Sequence, residues 1–242
     1  DASPYAMTPL AVVTPRTAED VATTIRICAE RAVPVLPRGG GTSLAGQTVN
    51  TAVVLDFTRF MNRVLEIDAE ARVARVQPGL VLDDFRRSLE PHGLAFGPDV
   101  STSTHATLGG MIGNASAGSR SLVHGMTDEH VLGLDVVLAD GSENHLGIGT
   151  ASRGPAVDAL RSGLRSIVEP LRAEIEARFP RVRRNVAGYR LDDLLGMYDR
   201  SEAGTDDAVN LGRFLAGSEG SLAVTTAASV RLIDPPGGRS LL

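Results

Sequence analysis

The sequence predicts a fold of the α+β class, with a small α/β unit followed by a larger unit built on a mostly antiparallel sheet. Three observations support this prediction. Residues 10–57 alternate short apolar runs with one amphipathic helical pattern, whereas residues 64–77 and 132–146 show the strand–turn–strand pattern of hairpins. The chain of 242 residues is 43% hydrophobic, which is sufficient for one large domain or two small ones with a substantial core.

The individual elements follow from this periodicity. Thr17 begins a helix with Asp20 three residues later, which is the pattern of a capping box. Pro170 lies inside the longest helical pattern, Pro155–Phe179, and predicts a kink or a break there. Asp140-Gly141 predicts the tight turn of a hairpin. The other predicted elements are strands at Leu10–Thr14, Val33–Leu36, Ala52–Phe57, Val64–Ile67, Val73–Gln77, Leu132–Leu138, Ser142–Leu146 and Ser221–Ile233, and a helix at Leu82–Leu89.

Composition and charge exclude several classes of function. The net charge is −5 and the arginines are scattered except in Arg181–Arg184, so we expect no nucleic-acid partner. All 24 basic residues are arginine, which excludes Schiff-base chemistry on a lysine of this chain. No apolar run approaches the roughly 18 residues of a membrane span, so we expect no direct membrane insertion. The expected location is cytoplasmic, with any peripheral membrane contact made through the parent protein or a partner.

The segment from Pro37 to Gln47 contains four glycines and one arginine in eleven residues between two predicted strands. Glycines allow close backbone approach, successive amide groups form an anion-binding nest, and Arg38 adds a forked charged donor. These properties favour a phosphate site, with an ordinary surface turn as the alternative. The segment is not a dinucleotide fingerprint, because a strand rather than a helix follows it. Gln47 stands where a nucleoside triphosphatase needs lysine, which argues against that class.

A second unusual segment extends from Gly97 to Gly125 and is rich in Gly, Ser, Thr and Ala. Segments of this length without secondary structure are usually functional or disordered, and the apolar residues Leu108, Met111 and Ile112 favour order. We interpret the segment as a loop that lies close to a large flat ligand. The alternative is a helix of small residues packed in the core.

No catalytic or metal-binding constellation is evident in the sequence. The five histidines lack the spacing of a metal site, and the single cysteine, Cys28, lies on the apolar face of a helical pattern. We interpret His105 and His124, which flank the small-residue segment, as structural. The adjacent carboxylates Asp83-Asp84 and Asp192-Asp193 are expected to be solvated. We therefore assign no catalytic residue and no metal ligand.

Four motifs carry a family resemblance, and they occur in the expected order: Pro37–Ser43, Ala106–Asn114, Val131–Gly141 and Gly217–Val224. Together they resemble the FAD-binding domain of the vanillyl-alcohol oxidase / p-cresol methylhydroxylase (PCMH) flavoproteins. Within that family, the chain is most similar to FAD-linked D-lactate, glycolate-oxidase-subunit and D-2-hydroxyglutarate dehydrogenases. Residues 183–192 further resemble large bacterial members that are fused to an iron–sulfur domain.

The resemblance implies a two-lobed PCMH-type FAD-binding domain with the cofactor between the lobes. It places a small lobe at residues 9–67, a larger lobe at 68–233, and a linker toward a cap domain at 234–242. The residues that it implies at the cofactor are Arg38, Gly39, Gly40, Gly41, Thr42, Ser43, Gly46, Gln47, Pro98, Asp99, Thr107, Gly109, Gly110, Gly113, Asn114, Ser116, Gly118, Gly125, Glu219, Gly220 and Val224.

The resemblance also implies a reaction. Covalent members carry histidine directly after the three glycines, where this chain has Thr42, so non-covalent FAD is expected. The family moves a hydride from C2 of a hydroxy acid to flavin N5, and a separate cap domain supplies the base and the carboxylate-binding arginine. We therefore expect the FAD-binding half of a dehydrogenase that oxidises a D-2-hydroxy acid, bound through the cap domain, with this half itself nearly inactive.

The sequence leaves open the electron acceptor and two alternative functions. The electron acceptor is not assigned, and any iron–sulfur cluster would lie in the rest of the parent protein. One alternative is a non-catalytic flavin-binding subunit for electron transfer, which the lack of an acid–base group motivates. Another is a reductase on the same fold that uses a nicotinamide substrate.

Overall fold

Two separate β-sheets form the framework of the structure, a computed structural model that describes residues 2–148, 152–182, 184–186, 188–201 and 208–235. The smaller sheet has three parallel strands in the order β1-β3-β2, with bounds β1 (Ala11–Val13), β2 (Val35–Arg38) and β3 (Val53–Asp56). The larger sheet has five antiparallel strands in the order β4-β5-β8-β6-β7, with bounds β4 (Val64–Asp68), β5 (Val73–Val76), β6 (Val131–Val137), β7 (Glu143–Gly147) and β8 (Val224–Arg231). The predicted α+β class is confirmed.

Eight α-helices are found within the described ranges. Their bounds are α1 (Ala18–Glu30), α2 (Leu82–Leu89), α3 (Leu108–Gly113), α4 (Ser121–His124), α5 (Pro155–Val168), α6 (Arg172–Arg178), α7 (Leu191–Arg200) and α8 (Leu211–Leu215). Single 3-10 turns lie at Glu90–His92, Asp128–His130 and Glu169–Leu171. The last of these contains Pro170 and separates α5 from α6, which confirms the predicted break. No helix in these ranges is long and apolar enough to cross a bilayer.

Helix α1 connects the two sheets through its buried face. Its capping box is complete, because the Thr17 hydroxyl accepts from the Asp20 amide at 3.2 Å and the Asp20 carboxylate accepts from the Thr17 amide at 3.1 Å. The buried residues Val21, Ala22 and Ile25 pack in one cluster with residues of β3, β6 and β8. Cys28 is buried on the same helix, as predicted.

The larger core lies between the five-stranded sheet and most of the other helices. Its largest fully buried side chains include Phe85 of α2, Met111 and Ile112 of α3, and Leu194 of α7. The segment 97–125 is therefore not one continuous loop, since its central part forms α3 and anchors in this core. For residues 108–113, the alternative interpretation, a helix of small residues packed in the core, is correct.

The boundary between the two sheets falls earlier than the predicted boundary between lobes at residues 67 and 68. β4 pairs with β5 and so belongs to the larger sheet. The change of sheet therefore occurs between Asp56 and Val64. Of the predicted linker at 234–242, residues 236–242 lie outside the described residues, as does Arg183 of the arginine run.

Asp192-Asp193, which the sequence places on a helical pattern, lie in α7, whereas α8 was not predicted. Charged side chains connect the two helices. Asp193 of α7 lies 2.7 Å from Nε of Arg213 in α8, and its side chain is only 17% exposed. Arg190 donates from Nε to Asp192 at 2.9 Å. The prediction that these carboxylates are solvated is wrong for Asp193, because tertiary packing places an arginine beside it.

Asp128 is a buried carboxylate next to this network. Its side chain is 3% exposed, and the nearest cation, Arg213, lies 3.9 Å from Oδ2. Oδ1 has no hydrogen-bond partner within the described ranges. Burial raises the pKa of Asp128 above its ordinary value, against the weaker opposing effect of Arg213. Asp192 behaves in the opposite way: burial opposes its ionisation, but the hydrogen bonds from Arg190 lower its pKa overall.

Asp128→Asn tests this difference through the pH dependence of stability. A group with a raised pKa in the folded state binds its proton more tightly there than in the unfolded chain. The Asp128 contribution is therefore full at low pH and is lost as pH rises from about 4 through the raised pKa. We expect the urea midpoint of Asp128→Asn to rise relative to wild type across this range.

Asp192→Asn is the control with the opposite sign, because the pKa of Asp192 is lowered in the folded state. Its stabilising contribution is present above the unfolded pKa of about 3.9 and is lost at lower pH. The urea midpoint of this variant should fall relative to wild type as pH rises from about 2 to 5. Parallel profiles for the two variants would contradict the assignment.

Candidate functional site

A cleft lies where the carboxyl ends of β2 and β3 face α3 and the chain that leads into β8. Its empty volume is about 1000 Å³, part of which is open to solvent. Ligands of open α/β sheets bind outside the carboxyl ends of the strands, and this cleft lies at the same place.

Most of the predicted cofactor-binding residues line this cleft: Arg38, Gly39, Gly40, Gly41, Thr42, Ser43, Gln47, Thr107, Gly109, Gly110, Gly113, Asn114, Ser116, Glu219 and Gly220. The structure places the other six outside it: Gly46, Pro98, Asp99, Gly118, Gly125 and Val224. Lining residues that sequence reasoning missed are Pro37, Thr48, Phe57, Pro78, Val100, Thr102, Ala106, Met111, Ile112, Leu215, Ser218, Ala223 and Thr225. A usable signal existed for Phe57 and Pro78, which directly follow strand patterns.

Three of the six residues outside the cleft, Pro98, Asp99 and Gly118, lie around an ion pair within the protein. Asp99 pairs with Arg86 at 2.7 Å and with Arg120 at 3.5 Å, so its carboxylate is already neutralised. The Pro98 carbonyl accepts from the same Arg86. Gly118 packs directly on the Asp99 carbonyl, where a Cβ would lie 1.3 Å away.

The other three excluded residues also serve contacts within the protein. Gly46 has φ +84° and lies against the ring of Tyr5, while Gly125 has φ +81° and lies against the carboxylate of Glu129. Val224 is buried in the cluster that includes α1. Tight packing alone therefore accounts for glycine at positions 46 and 125, and no ligand is needed to explain it.

The loop after β2 presents backbone donors that the protein does not use. Within the described residues, the N–H groups of residues 39–44 have no hydrogen-bond partner. The Gln47 side chain accepts from the Ala45 amide at 3.2 Å and so ties the far end of the loop. Arg38 lies at the strand end with its guanidinium beside Gly41, which has φ +64°. No ion pair to Arg38 is found in the described part of the chain. Free amides and an unpaired cation together favour an anion.

The glycines of the cleft fall into two groups with different physical roles. A Cβ on Gly39 would lie 2.1 Å from Oγ1 of Thr107, and one on Gly40 would lie 2.0 Å from the His105 carbonyl. These two glycines allow the loop to contact the segment before α3. A Cβ on Gly113, in contrast, would meet no atom closer than 3.8 Å, and one on Gly110 none closer than 3.4 Å. Backbone at these two positions is open for close approach.

Helix α3 presents its small residues to the cleft because its apolar residues point into the core. Thr107 caps the helix by accepting from the Gly110 amide at 3.4 Å. The Asn114 side chain donates to the Gly110 carbonyl at 3.2 Å and closes the other end. The Glu219 amide donates to the Gly113 carbonyl at 2.9 Å, which attaches the third wall to the same helix.

The cleft carries few groups that could perform acid–base chemistry. Among its described lining residues, only Arg38 and Glu219 are ionisable at any accessible pH. His105 and His124 do not line it, and the ring of the buried His130 lies within hydrogen-bond distance of two backbone carbonyls. In the described ranges, no group of three or more His, Cys, Asp or Glu residues could hold a metal ion. The arrangement suits binding rather than proton transfer.

A glycine-walled cleft with free amides and one unpaired arginine defines a domain that binds an anionic cofactor. A family model described as an FAD binding domain matches residues 9–147, more than half of the chain, and the chain belongs to this family. The sequence is 38% identical to a D-2-hydroxyglutarate dehydrogenase of Pseudomonas putida, over 98% of this chain and 24% of that protein. It is 35% identical to the glycolate oxidase subunit GlcD of Bacillus subtilis, over 98% of this chain and 40% of that protein.

The fold agrees with a solved structure as well. An alkyldihydroxyacetonephosphate synthase superposes with a TM-score of 0.62 at 20% identity, over 94% of this chain and 34% of that one. At this identity the likeness shows the fold alone. The chain spans about a quarter of the length of the D-2-hydroxyglutarate dehydrogenases that it matches.

Gly113→Ala and Gly40→Ala test the two roles of glycine in the ligand-free protein. Gly113→Ala should keep or raise the thermal midpoint, because the methyl group meets only ordinary contacts and restricts the unfolded chain, an effect of about 0.4–1 kcal/mol. Gly40→Ala should lower it by roughly 4 °C or more, because the loop must move away from His105. Calorimetry measures the thermal midpoint of both variants. Equal decreases in the two midpoints would contradict the division of the cleft glycines into two groups.

Proposed function

We propose that this chain binds FAD non-covalently in the cleft and forms the cofactor domain of a flavin-dependent dehydrogenase that oxidises a D-2-hydroxy acid. The observation that carries the proposal is the row of free amide groups at residues 39–44 beside unpaired Arg38. The names of the relatives supply the substrate class. They include dehydrogenases of D-2-hydroxyglutarate and D-lactate, so the non-catalytic alternative gains no support.

The anionic part of FAD fits the loop after β2. A diphosphate needs several donors around its oxygens, and successive backbone amides with one forked guanidinium provide them. The cleft-lining residues of the predicted set are therefore our proposed FAD contacts. Gly110 and Gly113 leave room for a flat ring to lie against the backbone of α3. The predicted lobes, in this proposal, are the two sheets on either side of the cofactor.

The lining side chains support non-covalent binding of FAD. Covalent attachment of a flavin needs a nucleophilic histidine, cysteine or tyrosine. None of these residues lines the described part of the cleft, and Thr42 follows the three glycines. Cys28 is buried on α1, and no second cysteine exists in the chain, so an iron–sulfur cluster would need ligands from outside it.

The chain contributes binding and orientation rather than the proton-transfer group. Bound FAD supplies a flavin ring that accepts a hydride from C2 of the hydroxy acid. Arg38 and the amides of residues 39–44 would hold the diphosphate, and Gly110 and Gly113 would leave space for the ring. The base and the carboxylate-binding groups would come from parts of the parent protein beyond this quarter of its relatives' length.

Titration of the purified chain with FAD tests the cofactor assignment. Quenching of flavin fluorescence and a shift in the visible flavin spectrum are the expected results. Failure to bind at high micromolar FAD would overturn the proposal. D-Lactate and D-2-hydroxyglutarate should leave the loaded chain oxidised but should bleach the flavin of the full-length parent enzyme. Robust turnover by the isolated chain would contradict the proposal that the base and the carboxylate-binding groups lie outside this chain.

Arg38→Ala should weaken FAD binding by about 1.5–3 kcal/mol, the range for a hydrogen bond to a charged group, or roughly 10- to 150-fold in Kd. Calorimetric titration measures this change. Arg31→Ala is the matched control, because it removes the same charge at an exposed position at the end of α1. If both variants bind FAD like wild type, Arg38 does not contact the phosphate.

A further inference from the structure

Thr48 lines the cleft, and no residue that the structure describes forms a hydrogen bond with its side-chain hydroxyl group. The residue follows the glycine loop, is half-buried and lines the cleft. Its Oγ1 is buried and makes no hydrogen bond to any residue that the structure describes. The predicted cofactor-binding residues do not include it.

The fold of the loop does not explain this hydroxyl group. Two hydrogen bonds are formed close to it in the chain: Gln47 accepts from the Ala45 amide, and the Val49 amide donates to the Gly46 carbonyl at 3.2 Å. A buried hydroxyl group without a partner destabilises the folded state, because it has lost its hydrogen bonds to water. Valine has nearly the same shape and would fill the same space without this penalty. Packing in the ligand-free protein therefore favours valine over threonine at this position.

Oγ1 lies in a buried position, and a rotation about the Cα–Cβ bond changes which group on Cβ occupies that position. The methyl and hydroxyl groups of threonine occupy two of the three staggered positions on Cβ, and a turn of about 120° moves the hydroxyl to another one. The residue borders the space that the free amides of residues 39–44 and Arg38 also border. An acceptor in that space would give the hydroxyl its missing hydrogen bond.

We infer that Thr48 is a positioning residue for the cofactor: on binding, it turns its hydroxyl toward the cleft and donates a hydrogen bond to an oxygen of the FAD diphosphate. This inference rests on the proposed function. It commits to the diphosphate because Thr48 belongs to the same loop as the free amides. The hydroxyl group destabilises the free protein and stabilises the complex with FAD. Its removal should therefore raise the stability of the free protein and lower the affinity for FAD.

Thr48→Val and Thr48→Ser separate the hydroxyl from the shape of the side chain. Thr226→Val is the control for a buried threonine whose hydroxyl is satisfied, because Thr226 donates to the Asp135 carbonyl at 3.2 Å. For each variant, we would measure the thermal midpoint of the FAD-free protein and the Kd for FAD by calorimetry. Phosphorus-31 NMR of saturated complexes then reports on the two phosphate groups directly.

Thr48→Val should match or exceed the thermal midpoint of FAD-free wild type, yet bind FAD about tenfold or more weakly. Thr48→Ser should stay within about threefold of wild type in Kd. Thr226→Val should lose stability and keep its FAD affinity. A phosphorus resonance of bound FAD should move in Thr48→Val while the visible flavin spectrum stays the same.

Four results would overturn the inference. They are a Kd of Thr48→Val within twofold of wild type, equal weakening in the valine and serine variants, a lower midpoint for FAD-free Thr48→Val, and unmoved phosphorus resonances. Failure of the wild-type chain itself to bind FAD is a different result. It refutes the proposed function first and removes the basis of this inference with it.

Discussion

Direct contact between backbone segments that lack side chains is the constraint on which the cleft depends. Gly39 and Gly40 rest on Thr107 and on the His105 carbonyl at distances that leave no room for a Cβ. Gly220 rests in the same way on the ring of Pro37. These contacts fix the glycine loop against the start of α3 and against the turn before β8. Larger residues would separate the walls and widen the cleft.

The same contacts explain why the loop keeps free donors. Because the glycines face their packing partners on one side, the amides of residues 39–44 are not drawn into a sheet or a helix. An isolated loop of this kind would lose little by being solvated, but a cleft between two walls excludes much of the water. Unpaired donors in such a place are stabilised by an anion more than by anything the protein itself offers.

Much of the framework could be predicted from the sequence, because periodicity and turn chemistry act locally. The capping box at Thr17, the break at Pro170 and the hairpin turn at Asp140-Gly141 need no tertiary information. Helix α3 could not be separated from a loop, since a run of Leu-Gly-Gly-Met-Ile-Gly has weak intrinsic helix propensity and is stabilised by burial of three residues. The pairing of Asp193 with Arg213 was hidden for the same reason, because it depends on how two helices meet.

The site divides in a similar way. The glycine loop, which lines the cleft, was predictable because four glycines within eleven residues are an unusual local composition. Asp99 and Gly118 lie outside the cleft, because Asp99 pairs with Arg86 and Gly118 packs on the Asp99 carbonyl. These contacts join residues that are distant in the sequence. Thr48 shows the converse limit. The sequence does not show whether its hydroxyl group has a partner, and only the surrounding atoms reveal that this group forms no hydrogen bond within the described residues.

The charge content of the cleft bears on how such an enzyme would be divided between domains. A general base close to a diphosphate would sit in the field of two negative charges, which raises its pKa and holds its proton. Arg38 offsets that charge, and Glu219 is the only carboxylate among the described lining residues. Placing the proton acceptor on a separate domain removes it from this field. The cofactor domain can then be optimised for holding an anion, and proton transfer can be tuned elsewhere.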